Sequence, residues 1–241
     1  METMKTSRVT LLLLAVVLML SSCLEDLSIH GNGRLATEDR WVAPFNKVKV
    51  TGEYNVFIVP GDEYTVEVTA ESNLLGHIVT DRDGDKLKIR TRGINNLHHT
   101  IPIEIYITTP HLNQVSLSGP GLIQTENFTT NKFEVFLSGS GLIESNVDTN
   151  ELEANLSGSG EIRLSGFCKH SDLLISGSGK IQSYGMEQES CHATISGSGD
   201  ILVNASDWIE ARISGSGDLL FINWPEISSN ISGSGKVIND N

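Results

Sequence analysis

Hydrophobic and polar residues alternate along most of the chain. Phe45, Val48 and Val50 are separated by polar positions, as are Val56 and Ile58, and then Tyr64, Val66 and Val68. Ile101, Ile103, Ile105 and Ile107 alternate with Pro102, Glu104, Tyr106 and Thr108. A period of two predicts strands with one buried face. Pro60-Gly61-Asp62 reads as a turn. Asp83-Gly84-Asp85, set between Ile78-Val79 and Leu87-Lys88-Ile89, predicts a hairpin. No stretch has helical periodicity, so the chain is expected to be all-β.

From about residue 111 a repeat takes over. An aliphatic residue, Ser-Gly, a variable residue and a second Gly occur seven times. The glycine pairs are Gly119 and Gly121, Gly139 and Gly141, Gly158 and Gly160, Gly177 and Gly179, Gly197 and Gly199, Gly215 and Gly217, and Gly233 and Gly235. Successive first glycines are 20, 19, 19, 20, 18 and 18 residues apart. Two residues before each stand Leu117, Leu137, Leu156, Ile175, Ile195, Ile213 and Ile231. Four residues after each stand Ile123, Ile143, Ile162, Ile181, Ile201, Leu219 and Val237. A flexible Ser-Gly linker would not keep aliphatic columns at fixed offsets. A regular period near 20 predicts a solenoid whose coils stack like neighbouring strands, about 4.8 Å apart. The expected fold is a parallel β-helix of about 19-residue coils, preceded by a less regular β region. Each glycine pair would form a corner, either because φ is positive there or because a Cβ would strike the next coil. The serines would make an outer ladder. Trp224-Pro225 and Asn239-Asp240-Asn241 are read as guards against end-to-end pairing.

The first residues stand apart from this pattern. Lys5 and Arg8 precede the apolar run Val9–Leu20, too short to span a bilayer. Leu20-Ser21-Ser22-Cys23 resembles a bacterial lipobox, with cleavage before Cys23 and acylation of that cysteine. The expected organisation is a signal peptide over 1–22, then an anchor, tether and first glycine copy over 23–40. An amino-terminal β region follows over 41–110, and the repeats over 111–241. In the sorting scheme this resembles, Leu24 favours the outer membrane. The net charge of −13 becomes one unit more negative once Glu2, Lys5 and Arg8 are removed. Such acidity argues against a nucleic-acid partner. Cys168 and Cys191 occupy non-equivalent places in their repeats, which favours two buried thiols over a disulfide.

Taken together, Phe45-x-x-Val48-x-Val50-x-Gly52, Val56-x-Ile58-x-x-Gly61-Asp62, Glu71-Ser72-Asn73-Leu74, Asp83-Gly84 and the Ser-Gly-Ser-Gly ladder resemble the auto-transporter adhesin head domain family, also called the head GIN domain. Ile29-His30-Gly31-Asn32-Gly33 looks like a degenerate first copy, and Pro120 departs from the pattern as if its coil were capped or bent. The resemblance implies a right-handed β-helix, export as a lipoprotein, and no catalytic residues to carry over.

Some β-helices cleave polysaccharides, and the residues that could form such a carboxylate site are Glu144, Glu151, Glu153, Glu161 and Arg163. Position 161 is filled by unlike residues in other coils, as befits a solvated surface. Asp200 and Asp218 occur in too few repeats for a calcium roll, Asp81–Asp85 lacks an EF-hand ligand set, and His98-His99 has no fixed partner. No metal, cofactor or enzymatic activity is expected. The preferred function is a lipid-anchored adhesin-like or ligand-binding module. Its membrane contact is the acylated Cys23, its ligand a glycan or protein, and its candidate surface Trp208, Trp224 and Tyr184. A polysaccharide-active enzyme and a self-assembling envelope protein remain alternatives, with the oligomeric state open.

Overall fold

The structure, a computed structural model, describes residues 28–93 and 96–241. Cys23 and the leader lie outside these residues. In chain order the strands begin with β1 (Ser28–His30), β2 (Leu35–Arg40), β3 (Lys47–Thr51), β4 (Asn55–Pro60) and β5 (Thr65–Glu71). Next come β6 (Ile78–Asp83), β7 (Lys86–Thr91), β8 (Asn96–His98), β9 (Glu104–Thr109) and β10 (Gln114–Ser118). The long strands are β11 (Leu122–Gly139), β12 (Leu142–Gly158), β13 (Glu161–Gly177), β14 (Lys180–Gly197) and β15 (Asp200–Gly215). The chain finishes with β16 (Leu219–Ile222), β17 (Glu226–Gly233) and β18 (Val237–Asn239). The expected all-β solenoid is present, with about seven turns of about 19 residues.

Successive coils pair in parallel and in register. Leu137 lies over Leu156, which lies over Ile175, and Gly139 over Gly158 over Gly177. The aliphatic columns form the core. Leu117, Leu137, Leu156, Ile175, Ile195 and Ile213 are at most 2% exposed, and Ile123, Ile143, Ile162, Ile181 and Ile201 are fully buried. Burying each such side chain contributes roughly 1.5–3 kcal/mol.

Both reasons for glycine hold: positive φ at the first position of the pair, and a close backbone approach at both. The first glycines have φ between +123° and +138°, a region L side chains rarely adopt. The second glycines meet the backbone of the neighbouring coil. A Cβ on Gly160 would lie 2.5 Å from the Gly141 carbonyl oxygen, and one on Gly141 2.6 Å from that of Gly121. The close approach lets N–H groups of one coil reach glycine carbonyls of the previous one. Gly160 N donates to Gly139 O at 2.9 Å, and Glu161 N to Gly141 O at 3.0 Å. The first serine of the later copies and the residue between the glycines point outward.

The stack does not start at residue 111. Strands β3 and β4 supply a further glycine corner and its two flanking sides to the ladder, with Val50 under Leu117 and Val56 under Ile123. Gly52, φ +125°, sits under Gly119. Beneath these strands lie β7 and β9, also parallel to them. Beyond them the chain reverses: β5 runs antiparallel to β9, β6 to β7 and β2 to β5. These strands and a short turn at Leu75–His77 close the end of the stack. The predicted hairpin is present, with Asp83 opposite Lys86.

Two expectations are corrected. Pro120 neither caps nor bends its coil: β10 pairs with β3 on one side and β11 on the other. Proline only removes one N–H donor at an exposed corner. Residues 29–33 are not a copy of the repeat. Strand β1 pairs with β8 in a separate two-stranded sheet. The following loop wraps a buried carboxylate, that of Glu71. Glu71 accepts hydrogen bonds from Gly33 N, Thr100 N (2.8 Å) and Thr100 Oγ1 (2.9 Å). A Cβ on Gly31 would fall on that carboxylate, which explains the glycine. Burial pushes the pKa of Glu71 up, but the hydrogen bonds from Thr100 and Gly33 outweigh it and hold the group below its usual value.

Two outcomes follow for stability. Gly158→Ala should destabilise the protein by roughly 2–4 kcal/mol, through positive φ and the Gly139 carbonyl together, whereas Ser159→Ala should stay within about 0.5 kcal/mol. Urea unfolding followed by circular dichroism measures both. A depressed carboxylate pKa contributes stability above its unfolded value, near 4.3, that is lost as pH falls through the folded value. Glu71→Gln should therefore melt below the parent at neutral pH, with the gap narrowing as pH falls below the ordinary carboxylate range.

Candidate ligand-binding surface

The outward residues preceding each glycine corner form columns. One runs Lys132, Glu151, His170, Ser190 and Trp208; the next runs Glu134, Glu153, Asp172, His192 and Glu210. The period of two sets these columns side by side on one face. Between them lies an open groove of about 300 Å³ that ends at Trp208. Its polar groups are fixed by one another. Lys132 Nζ lies 2.9 Å from Glu134 Oε1 and 3.3 Å from Glu153 Oε2, and these two carboxylates raise its pKa. His170 Nδ1 and Ser190 Oγ are 2.6 Å apart. His192 Nδ1 lies 3.5 Å from Glu210 Oε2. Trp208 keeps 43% of its surface exposed. The result is a mixed row of donors and acceptors with an aromatic plane at one end.

A larger groove, about 570 Å³, opens where the β11–β12 register shifts between Thr125 and Phe128. Its lining is polar and includes Gln124, Glu126, Asn127, Glu144, Asn146 and Arg163. Here the structure gathers three of the residues considered for polysaccharide cleavage. Arg163 Nε donates to Glu161 Oε1 at 2.9 Å and Nη1 to Glu144 Oε1 at 2.6 Å. The two carboxylates push the guanidinium pKa further up. Both acids are thus engaged as acceptors of a permanent cation, an arrangement suited to fixing neighbouring coils together. Glu153 is likewise held by Lys132 and by Asn155 Nδ2 at 2.9 Å.

The remaining candidates separate. Tyr184 is not an open ligand platform. Its hydroxyl donates to Asp240 Oδ2 at 2.9 Å and clasps the carboxyl-terminal tail. Burial and Asp240 raise its pKa. Trp224 is 84% exposed at a corner next to Asn223. The side chain of Asn223 donates to Asn204 Oδ1 at 2.6 Å, and its N–H to Asn241 Oδ1 at 2.9 Å. Of the three aromatics expected at a ligand surface, Trp208 lines one of these two grooves, and Tyr184 and Trp224 line neither.

Asp200 and Asp218 bind backbone, one coil to the next. Asp200 Oδ1 accepts from Asp218 N at 3.0 Å, and Asp218 Oδ1 from Lys236 N at 2.8 Å. His98 stacks on His30 with centroids 5.0 Å apart, and His99 Nε2 lies 3.8 Å from Glu53. Among the described residues no group of three His, Cys, Asp or Glu could hold a metal ion. Cys168 and Cys191 are unpaired and buried, with both thiols pushed up to about 12 by burial. No described helix is long and apolar enough to cross a membrane. Sequence reasoning missed the outward stack of Phe57 on Tyr106, centroids 5.2 Å apart in adjacent coils. The signal was that each is the polar-face member of an alternating strand, Phe57 between Val56 and Ile58 and Tyr106 between Ile105 and Ile107.

Comparison with known proteins agrees with the geometry. A Parabacteroides distasonis protein described as a "Putative lipid binding protein" is 26% identical, with a TM-score of 0.77 over 89% of this chain and 100% of its own. A Bacteroides fragilis protein described as a "putative adhesin" is 24% identical, with a TM-score of 0.81 over 88% and 99%. A second P. distasonis structure, carrying the same "putative adhesin" description, is 25% identical, with a TM-score of 0.69 over 88% and 99%. No curated protein matches the sequence. The family model described as "Putative auto-transporter adhesin, head GIN domain" matches residues 44–225, and the chain belongs to that family.

Proposed function

We propose that the protein is a non-catalytic, adhesin-like binding module of the cell envelope. It is held at the outer membrane through an acylated Cys23, and it takes a glycan on the face that ends at Trp208. The observation that carries the ligand assignment is the Trp208 groove. Sugars present hydroxyls and an apolar ring face. An exposed indole beside Lys132, Glu153, Asp172 and His192 offers stacking together with fixed donors and acceptors. The rigid strand positions keep these groups in place before binding. The ion pairing of Glu144 and Glu161 with Arg163 favours binding over cleavage, because a cleaving pair needs one acid free to give a proton. The anchor rests on the lipobox at residues 20–23.

A glycan array on the purified protein tests the ligand. Trp208→Ala should lower affinity for the best glycan about tenfold, equivalent to about 1.4 kcal/mol, with an unchanged melting temperature. Equal affinity of variant and parent would remove the groove from the proposal. For the anchor, Cys23→Ser should shift the protein from the membrane to the soluble fraction and abolish labelling by a fatty-acid probe.

A further inference from the structure

The two ends of the stack are finished differently. The amino-terminal end is closed by antiparallel strands, and its edges carry charge: Glu38, Asp39 and Arg40 on β2, and Asp81, Arg82 and Asp83 on β6. Charged edge residues are the usual protection against unwanted strand pairing. The other end has no such finish. Strand β17 pairs with β15 on one side, and all eight of its residues are exposed. Ile227 and Ile231 continue inward columns in which Ile209 and Ile213 are at most 2% exposed, yet they are 41% and 40% exposed themselves. The tail read from sequence as a guard does not cover them. Asp240 N donates to Phe221 O at 2.8 Å and Asn241 Nδ2 to Asn223 O at 2.8 Å, which turns the tail along the side of the stack.

We propose that β17 is a homophilic docking edge, on which a second copy of this chain pairs antiparallel about a two-fold axis through Ser229. Three features select that occupant. Antiparallel pairing centred on Ser229 sets Ile227 opposite Ile231 of the second copy, and Ile231 opposite its Ile227, so the open core closes with matching aliphatic pairs. The outward partners are Ser228 with Asn230 and Glu226 with Ser232, so no like charges face each other. In a chain of net charge −13, Glu226 is the single charged residue of this strand. The capped opposite end cannot serve as the mate, so the contact is isologous and stops at two copies instead of growing into a filament.

Light scattering of the purified protein over a wide concentration range tests the contact. The mass should rise towards twice that of the chain and fall on dilution. Ile227→Lys, at a site already exposed, should give the single-chain mass throughout with an unchanged melting temperature. Ser229→Cys should cross-link two copies under mild oxidation. Residues directly opposite in an antiparallel pair have Cα atoms about 4.5–5.5 Å apart, within disulfide range. Ser206→Cys, exposed but off the edge, should not cross-link. A single-chain mass at every concentration, an association that survives Ile227→Lys, equal cross-linking of the two cysteine variants, or open-ended larger species would each overturn the proposal.

Discussion

The glycine corner is the contact on which the rest of the molecule depends. There the backbones of successive coils approach so closely that no side chain fits between them, and carbonyls of one coil receive N–H groups of the next. That approach fixes the register of every coil on its neighbour. A slip by one residue would turn each aliphatic column outward. The aliphatic columns contribute most of the free energy, and the glycines decide which columns meet. Each part needs the other, because an array of aliphatics with loose corners would have several registers of similar energy.

Much of this was legible in the sequence because a repeat translates directly into vertical neighbours. Equal offsets from a glycine become equal heights on the same wall of the solenoid. The corner between β3 and β4 was harder to read, since Gly52 is followed by Glu53-Tyr54 in place of Ser-Gly. Tyr54 is buried, and its hydroxyl lies 2.5 Å from Thr91 Oγ1, filling the corner by other means. Yet Val48, Val50 and Val56 stand at the same offsets from Gly52 as their counterparts do from later glycines. The surface was less legible. Tyr184 and Asp240 are 56 positions apart, and Asp200 meets the backbone of Asp218 one coil above. Polar residues that look free in a list prove to be partners once the chain is wound.

Constancy and variation divide the labour along each coil. Inward columns and corners repeat because they must match the coil above and below. Outward columns are free to differ, and they do: Lys132, Glu151, His170, Ser190 and Trp208 occupy equivalent sites. A recognition surface can therefore be rewritten without disturbing the core, since each outward side chain projects from a backbone already fixed by its neighbours. Family membership then says little about the ligand, which depends on the variable columns alone.

The stacking of identical corners also makes length an independent variable. A coil gained or lost as a unit leaves its former neighbours facing the same glycines and the same aliphatics. Duplication of a segment of about 19 residues would lengthen the molecule by one strand spacing, about 4.8 Å, with no new packing problem to solve. The solenoid thus works as a ruler whose graduations are single coils. Evolution could adjust how long the outward face is by copying sequence, without inventing any.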